Sequence, residues 1–468
     1  MILKRAKNIP EIIAYGHIRR RWPAVLLAIS AVAWLVNSYI FYPGYFSADS
    51  NWQLCQAIHH CGLNDWHPIS MVLVWRVLIS LTAGHVASML LFQTGMLWMA
   101  LFFLALYTWK KTNSTRLSLV VLGIGLLPNV INISGVLWKD AQMAFALLLA
   151  IGLTLVASIT VKKLTRNTLY VVALFFLLYA TTVRTNGLAA TIPVAFFIVY
   201  MSGWVKRRAY IIIAAFAIVM SAILLLNITN TMLHVTKGHT PGVMMSADVV
   251  NMLPKEKLQN LNISPELKLA LLNLSNCSHF NGDLQLKGWL CVGDQQRLYF
   301  TGKHYDELQD IWATTVLHNF GSYLGYKLEA YTLFLLPNDK QTIWMDGIEN
   351  STLHLGGQRI PHLKVKSISF GAINKHYTSD FGYRYFPFMF KAWFWLLVSL
   401  CLFWHAIKAR YKILIGALSL SALLNILSFF PASETTDYRY IYWSAIACMV
   451  AICMVVVERK SPKPVKER

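Results

Sequence analysis

The sequence predicts an all-α polytopic membrane protein with about ten transmembrane helices, and three observations carry that reading. Of its 468 residues, 56% are hydrophobic and 13% charged, where a soluble domain carries about a quarter charged residues. Apolar runs of roughly twenty residues recur, the length needed to cross a hydrocarbon core about 30 Å thick. Lys and Arg gather in every second connection between these runs, the pattern that orients a membrane protein. Mean hydropathy is +0.49.

The predicted spans are 22–41, 85–109, 117–133, 141–161, 168–183, 187–204, 209–228, 388–407, 413–430 and 440–457. The first follows a basic stretch but is longer than a signal-peptide core and lacks a clear cleavage site, so it reads as a retained helix. Basic residues then mark alternate connections: Arg19, Arg20 and Arg21 before the first span, Lys110, Lys111 and Arg116 after the second, and Lys162, Lys163 and Arg166 after the fourth. The series continues with Lys206, Arg207 and Arg208 after the sixth, Lys408, Arg410 and Lys412 after the eighth, and Arg459 and Lys460 after the tenth. These connections hold nearly all of the net charge of +21. They read as cytoplasmic, both ends of the chain with them, and the basic balance needs no nucleic-acid partner to explain it.

The remaining connections face outward: 42–84, 134–140, 184–186, 229–387 and 431–439. Within the first, Ile69 to Leu81 is apolar but carries Arg76 and is short. It reads as an interfacial helix, or as the start of one tilted helix running from 69 to 109. The organisation is then an N-terminal transmembrane module of seven helices (1–228), an outward loop domain (229–387) and a C-terminal module of three helices with a basic tail (388–468). The loop domain is nearly charge-balanced. It is predicted as α with some β: a helix from His304 to Leu336, then a loop with short strands over 337–361. Of seven cysteines, Cys401, Cys448 and Cys453 sit in apolar runs; Cys55 with Cys61 and Cys277 with Cys291 are candidate disulfides if their loops face an oxidising compartment.

The residues able to do chemistry collect in the outward connections. They are Asp49, Ser50 and Gln53; Asp65, His67 and Pro68; Lys139 and Asp140; Arg184 and Asn186; and Glu434, Asp437, Tyr438, Arg439 and Tyr440. Ionisable groups at the ends of spanning helices are functional candidates when they face a bundle interior. Asp49 is suited to act as a general base toward a hydroxyl, and Asp-Ser is equally a helix-cap signal. His67 fits a phosphate ligand, an orienter of Asp49, or a turn residue before Pro68. Lys139 fits a phosphate with Asp140 holding it, or a plain pair with Asp140. Arg184 suits phosphate by its planar fork or simply snorkels to the interface. Asp437 and Arg439 read as an ion pair inside an aromatic belt of Tyr438 and Tyr440. No phosphate-binding glycine loop, HExxH helix or nucleophile elbow is present.

In order and sidedness, the run Asp49-Ser50 to Gln53, His67-Pro68, Trp138-Lys139-Asp140, Arg184-x-Asn186 and Asp437-Tyr438-Arg439-Tyr440 resembles the GT-C superfamily of integral membrane glycosyltransferases. Within it, the chain is most similar to bacterial members that modify O-antigen (lipopolysaccharide) and cell-envelope glycans. The resemblance implies an inner-membrane enzyme with a periplasmic site and Asp49 as its catalytic base. It implies a polyprenyl-phosphate-sugar donor and a glycan or lipid-linked acceptor. Gln53, His67, Lys139, Asp140, Arg184, Asn186, Asp437 and Arg439 are then expected to bind substrate, with Lys139 and Arg184 first in line for the donor phosphate. Members with an acidic pair in the first outer loop imply a divalent metal; here Ser50 follows Asp49, so a metal is allowed but not required. The rival classes are a transporter or flippase of lipid-linked sugars, which places charges at mid-membrane, and a non-catalytic scaffold of an envelope-synthesis complex.

Overall fold

The computed structural model describes residues 9–278, 292, 294–337, 354–355, 358–359, 373–408, 412–432 and 436–461. The fold is helical. Six helices are long and apolar enough to cross a membrane, and a bent pair makes a seventh. They are α1 (Ile9–Phe41, spanning from Arg21), α4 (Ser88–Thr112), α7 (Lys139–Ser158), α8 (Lys163–Val183), α10 (Arg208–Met232) and α19 (Tyr442–Lys460, with the turn Tyr438–Ile441 before it); the bent pair is α5 (Thr115–Gly123, continued by the turn Ile124–Leu126) with α6 (Pro128–Ser134). Three shorter apolar helices, α9 (Leu188–Ser202), α17 (Ala392–Ala406) and α18 (Lys412–Leu427), have 15, 15 and 16 residues.

The predicted span 117–133 is not one straight helix. It bends by 51°. Pro128 is the cause: its ring pushes the preceding Leu127 into extended backbone (φ −63°, ψ 143°), which a continuous helix cannot accept. Ile69 to Leu81 forms a separate helix, α3 (Ser70–Leu81). Its 12 residues rise only about 18 Å, too little to span. A single helix from 69 to 109 is ruled out by the break after Leu81, where Ala83 and Gly84 take φ of 50° and 91°. Arg76 explains itself here, since its guanidinium donates to the Gln56 carbonyl at 2.7 and 3.2 Å. Gln56 belongs to α2 (Ala48–Ala57), whose end is closed by a Cys55–Cys61 disulfide. The pair Cys277 and Cys291 lies outside the described residues.

Helix α7 lies in the middle of the bundle, packed against α4 and α8. Lipid is as apolar as a helix surface, so close packing and small residues hold such helices together. Gly152 shows this: a Cβ there would come within 3.1 Å of the Ala100 carbonyl oxygen of α4.

Between α10 and α17 the chain forms α11 (Pro241–Met252), α12 (Lys255–Gln259), α13 (Pro265–Ser278), α14 (Asp294–Thr301), α15 (Tyr305–His318) and α16 (Phe320–Leu335). The expected continuous helix from His304 to Leu336 is therefore two helices, divided at Asn319. A two-residue ribbon, β1 (His354–Leu355) antiparallel to β2 (Gln358–Arg359), follows. These helices share a core of their own that includes Val249, Leu258, Leu267, Leu271 and Leu308. In that region Lys327 of α16 and Asp248 of α11 form an ion pair at 2.6 Å with neither side chain exposed. Trp312 of α15 donates to the same carboxylate at 2.9 Å. Removing one member of a buried pair strands the other charge, at a cost of about 3–5 kcal/mol. Lys327→Ala is expected to lower the thermal midpoint of the detergent-solubilised protein sharply, and the Asp248→Leu/Lys327→Met double variant much less. Equal melting of the single variant and wild type would contradict this.

Candidate active site

The site is assembled from four stretches of chain that meet at one end of the bundle. The stretch after α1 pairs with the stretch before α7: Tyr45 N donates to the Gly135 carbonyl at 3.0 Å, and Leu137 N donates to the Tyr45 carbonyl at 2.9 Å. Gly135 is required, because a Cβ there would overlap the Phe41 ring. From beneath, the Gln93 amide donates to the Ser134 and Val136 carbonyls (2.9 and 2.8 Å), and Gln93 is held through Gln142 by the Tyr179 hydroxyl. The two stretches are thereby set side by side before any charged side chain is considered.

Helix α2 begins at once after this pairing. Its cap is Ser47, whose hydroxyl accepts from Ser50 N while Ser50 accepts from Ser47 N, a reciprocal capping box. Ser50 Oγ also donates to the Leu137 carbonyl at 2.6 Å, and the Trp138 indole donates to Ser47 Oγ at 2.7 Å. The capping role read for Asp49 therefore belongs to Ser47. The Asp49 carboxylate, one residue into the helix, is left to face the other charged groups.

Its partners come from distant stretches. Arg439 Nη1 lies 3.1 Å from Asp49 Oδ2, and His67 Nε2 lies 3.8 Å from Oδ1. The Lys139 ammonium is 2.8 Å from His67 Nδ1. An ammonium only donates, so Nδ1 is the acceptor and the His67 proton sits on Nε2, turned toward Asp49. Burial pushes the Asp49 carboxyl up, but the charges of Arg439, His67 and Lys139 outweigh it and hold the group below the ordinary carboxylate value. Burial, with the neighbouring Lys139 charge, pushes His67 down to about 3. Asp49 is thus ionised and His67 neutral at any physiological pH.

Arg439 is clamped on several sides. Its guanidinium lies over Trp138 (4.7 Å) and Tyr440 (5.0 Å), donates to the Tyr440 hydroxyl at 3.2 Å, and has Nε 3.2 Å from Asp437. The predicted Asp437–Arg439 pair is present, shared with Asp49. Asn425 fixes Tyr440 by donating to its carbonyl at 3.0 Å. Arg184 forms an ion pair with Asp140, both almost wholly buried, and lies over the rings of Tyr440 (5.1 Å) and Phe429 (5.7 Å). Lys139 and Asp140 do not pair with each other. Gln53 is buried one turn along α2 from Asp49. Asn186 lies in the turn Thr185–Gly187 beside Arg184, its side chain beyond what is described, and Glu434 lies outside the described residues.

Asp65 stays apart from Asp49; it accepts from Gly238 N at 2.5 Å and ties the first loop to the stretch after α10. Among the described residues no group of three or more His, Cys, Asp or Glu could hold a metal ion. The neighbours of Asp49 are cations or a histidine whose free lone pair is already taken, so the residues present do not fit a divalent ion.

No family model and no curated protein matches the chain. Among solved structures it is similar to the archaeal oligosaccharyltransferase AglB from Archaeoglobus fulgidus, determined in complex with an inhibitory peptide and a dolichol-phosphate. Identity is 12% and the TM-score 0.39, over 93% of this chain and 50% of that one, so the chain spans about half the length of that protein.

The sequence marks Tyr440 as part of an aromatic belt and Trp138 as the neighbour of Lys139; that both rings stack on Arg439 is seen only in the structure.

The depressed His67 value makes stability depend on pH. Between about 3 and the ordinary 6.5, the unfolded chain binds a proton that the folded one does not. Stability therefore rises with pH across that window and is lost as pH falls through it. Thermal melts from about pH 7.5 down to about pH 4 should show this slope, and His67→Gln should flatten it. An unchanged slope in the variant would contradict the neutral His67.

Proposed function

We propose that this chain is a GT-C-type glycosyltransferase that moves a sugar from a polyprenyl-phosphate carrier to an envelope glycan or lipid acceptor. The observation that carries the reading is the close placement, at one end of the bundle, of an ionised carboxylate and an uncommitted ammonium. Asp49 keeps 32% of its side chain exposed, so an acceptor can reach it. Lys139 has no carboxylate at ion-pair distance among the described residues, and its closest partner, His67, is uncharged.

In the reaction, Asp49 takes the proton from an acceptor hydroxyl as that oxygen bonds to the anomeric carbon. The bond from that carbon to the carrier phosphate breaks, and the phosphate leaves with the electron pair. Lys139 offsets the charge that grows on the leaving phosphate, where a prearranged cation stabilises the transition state most. Arg184, committed to Asp140, shapes the wall through Tyr440 and Phe429. Gln53, Asn186 and Asp437 complete the polar surroundings.

Topology supports the same reading. Counting α9, α17, α18 and the bent pair as spans gives ten, with the basic connections on the cytoplasmic side and the site on the periplasmic side of a bacterial inner membrane. A disulfide at Cys55–Cys61 suits that side, since disulfides persist in oxidising compartments. The helices from 241 to 335 then form an outward domain over the site end of the bundle. A transporter reading has less support, because the charged cluster lies at one end of the bundle instead of mid-span.

Membranes carrying Asp49→Asn are expected to lose transfer from polyprenyl-phosphate sugars by about 100-fold or more, measured as product by mass spectrometry. Wild-type rates at normal expression would remove Asp49 from the mechanism. Lys139→Met is expected to raise KM for the lipid donor and to lower kcat, with KM for the acceptor little changed. An effect confined to the acceptor would contradict its phosphate role.

A further inference from the structure

We infer that the Arg439 guanidinium is the resident counter-cation of Asp49, occupying the place a divalent metal would take and making transfer independent of one. What the site does rests on the transferase reading above; what it holds rests on geometry alone.

A single cation can join carboxylates that come from separate loops. Arg439 does this here: Nη1 is 3.1 Å from Asp49 in the first loop, and Nε is 3.2 Å from Asp437 in the last. A bound metal is fixed by its ligand set, and this guanidinium is likewise fixed. Trp138 and Tyr440 hold its faces at 4.7 and 5.0 Å, and its Nη2 donates to the Tyr440 hydroxyl at 3.2 Å. Arginine keeps its charge at every working pH and presents several N–H groups in one plane. Those not used by Asp49, Tyr440 and Asp437 remain for a donor phosphate.

The other neighbours of Asp49 oppose a metal. His67 turns its N–H toward Asp49 and spends its lone pair on Lys139 at 2.8 Å, so it offers no lone pair for a metal beside Asp49. The Lys139 ammonium adds like charge. Asp140 is engaged by Arg184, and Asp65 accepts from the Gly238 amide. A divalent ion at Asp49 would have to expel a buried guanidinium and then sit among cations.

The test has two independent arms, both on the full chain in lipid nanodiscs. In the first, Mn2+ binding is followed by electron paramagnetic resonance. Wild type and Asp49→Asn should bind Mn2+ indistinguishably. A stoichiometric Mn2+ site present in wild type and lost in Asp49→Asn would overturn the inference. This arm decides whether or not transfer is ever observed, so its failure is separable from failure of the transferase reading.

In the second arm, transfer is measured after exhaustive EDTA treatment. The rate should stay within about twofold of the untreated protein. Arg439→Gln should lose about 100-fold and gain nothing from added Mn2+ or Mg2+, while Arg439→Lys, which keeps the charge, should retain more activity. Loss of transfer in EDTA with recovery on adding a divalent ion would overturn the inference.

Discussion

The ion pair between Arg439 and Asp49 joins residues 390 positions apart, and the arrangement of the site depends on it. A carboxylate in partly buried surroundings tends to protonate unless opposite charge is supplied. Arg439 supplies the largest share, with His67 and Lys139 adding to it, and the resulting anion is what a proton-abstracting group requires. The pair forms only because two other constraints are already met. Backbone pairing of Tyr45 with Gly135 and Leu137 sets the start of α2 against the start of α7. Trp138, held by its bond to Ser47, then provides the surface on which the guanidinium rests.

The same economy of polar groups runs through the bundle. Polar atoms at membrane depth need internal partners, and the chain Gln93–Gln142–Tyr179 supplies them while supporting the strand-like stretch before α7. Where Pro128 bends the span, a carbonyl is freed, and the Tyr377 hydroxyl donates to that Leu126 oxygen at 2.6 Å. Helix α16 reaches the site from the other side. Its buried Lys327 fixes it to α11, its Tyr331 hydroxyl donates to the Ile426 carbonyl at 3.2 Å, and its Phe334 packs on Phe429. Phe429 in turn lies beneath Tyr440 and Arg184. Helix α16 is thus linked by packing, through Phe429, to Tyr440 and Arg184 beside the Asp49 site.

Much of this was legible in the sequence, for reasons that can be stated. Hydropathy located the apolar helices found among the described residues, because their length and apolarity are direct consequences of the bilayer. It did not show that Pro128 would bend one of them, since a proline inside a span can be absorbed by its neighbours. Asp49 was visible as unusual, but its competing role as a cap was not separable from the sequence: Ser47 and Ser50 cap the helix through a reciprocal box that needs the actual backbone. Lys139 and Asp140 looked like a pair because they are adjacent. Adjacent helical residues point about 100° apart, so one turns to His67 and the other to Arg184. The Lys327–Asp248 pair left no local signal, because each partner sits in a separate helix and only tertiary packing buries them. The stacking of Arg439 on Trp138 was hidden for the same reason, since the two come from distant stretches of chain.

In the proposed reaction Lys139 receives the donor phosphate while Asp49 faces the acceptor. A cryo-electron microscopy structure of the protein in nanodiscs with a non-transferable polyprenyl-phosphate-sugar analogue addresses both parts together. Phosphate density is expected within hydrogen-bond reach of Lys139 Nζ, with the sugar extending toward Asp49 and the lipid chain leaving between spanning helices. Density for the phosphate at the opposite end of the bundle, or at this end but remote from both residues, would contradict it.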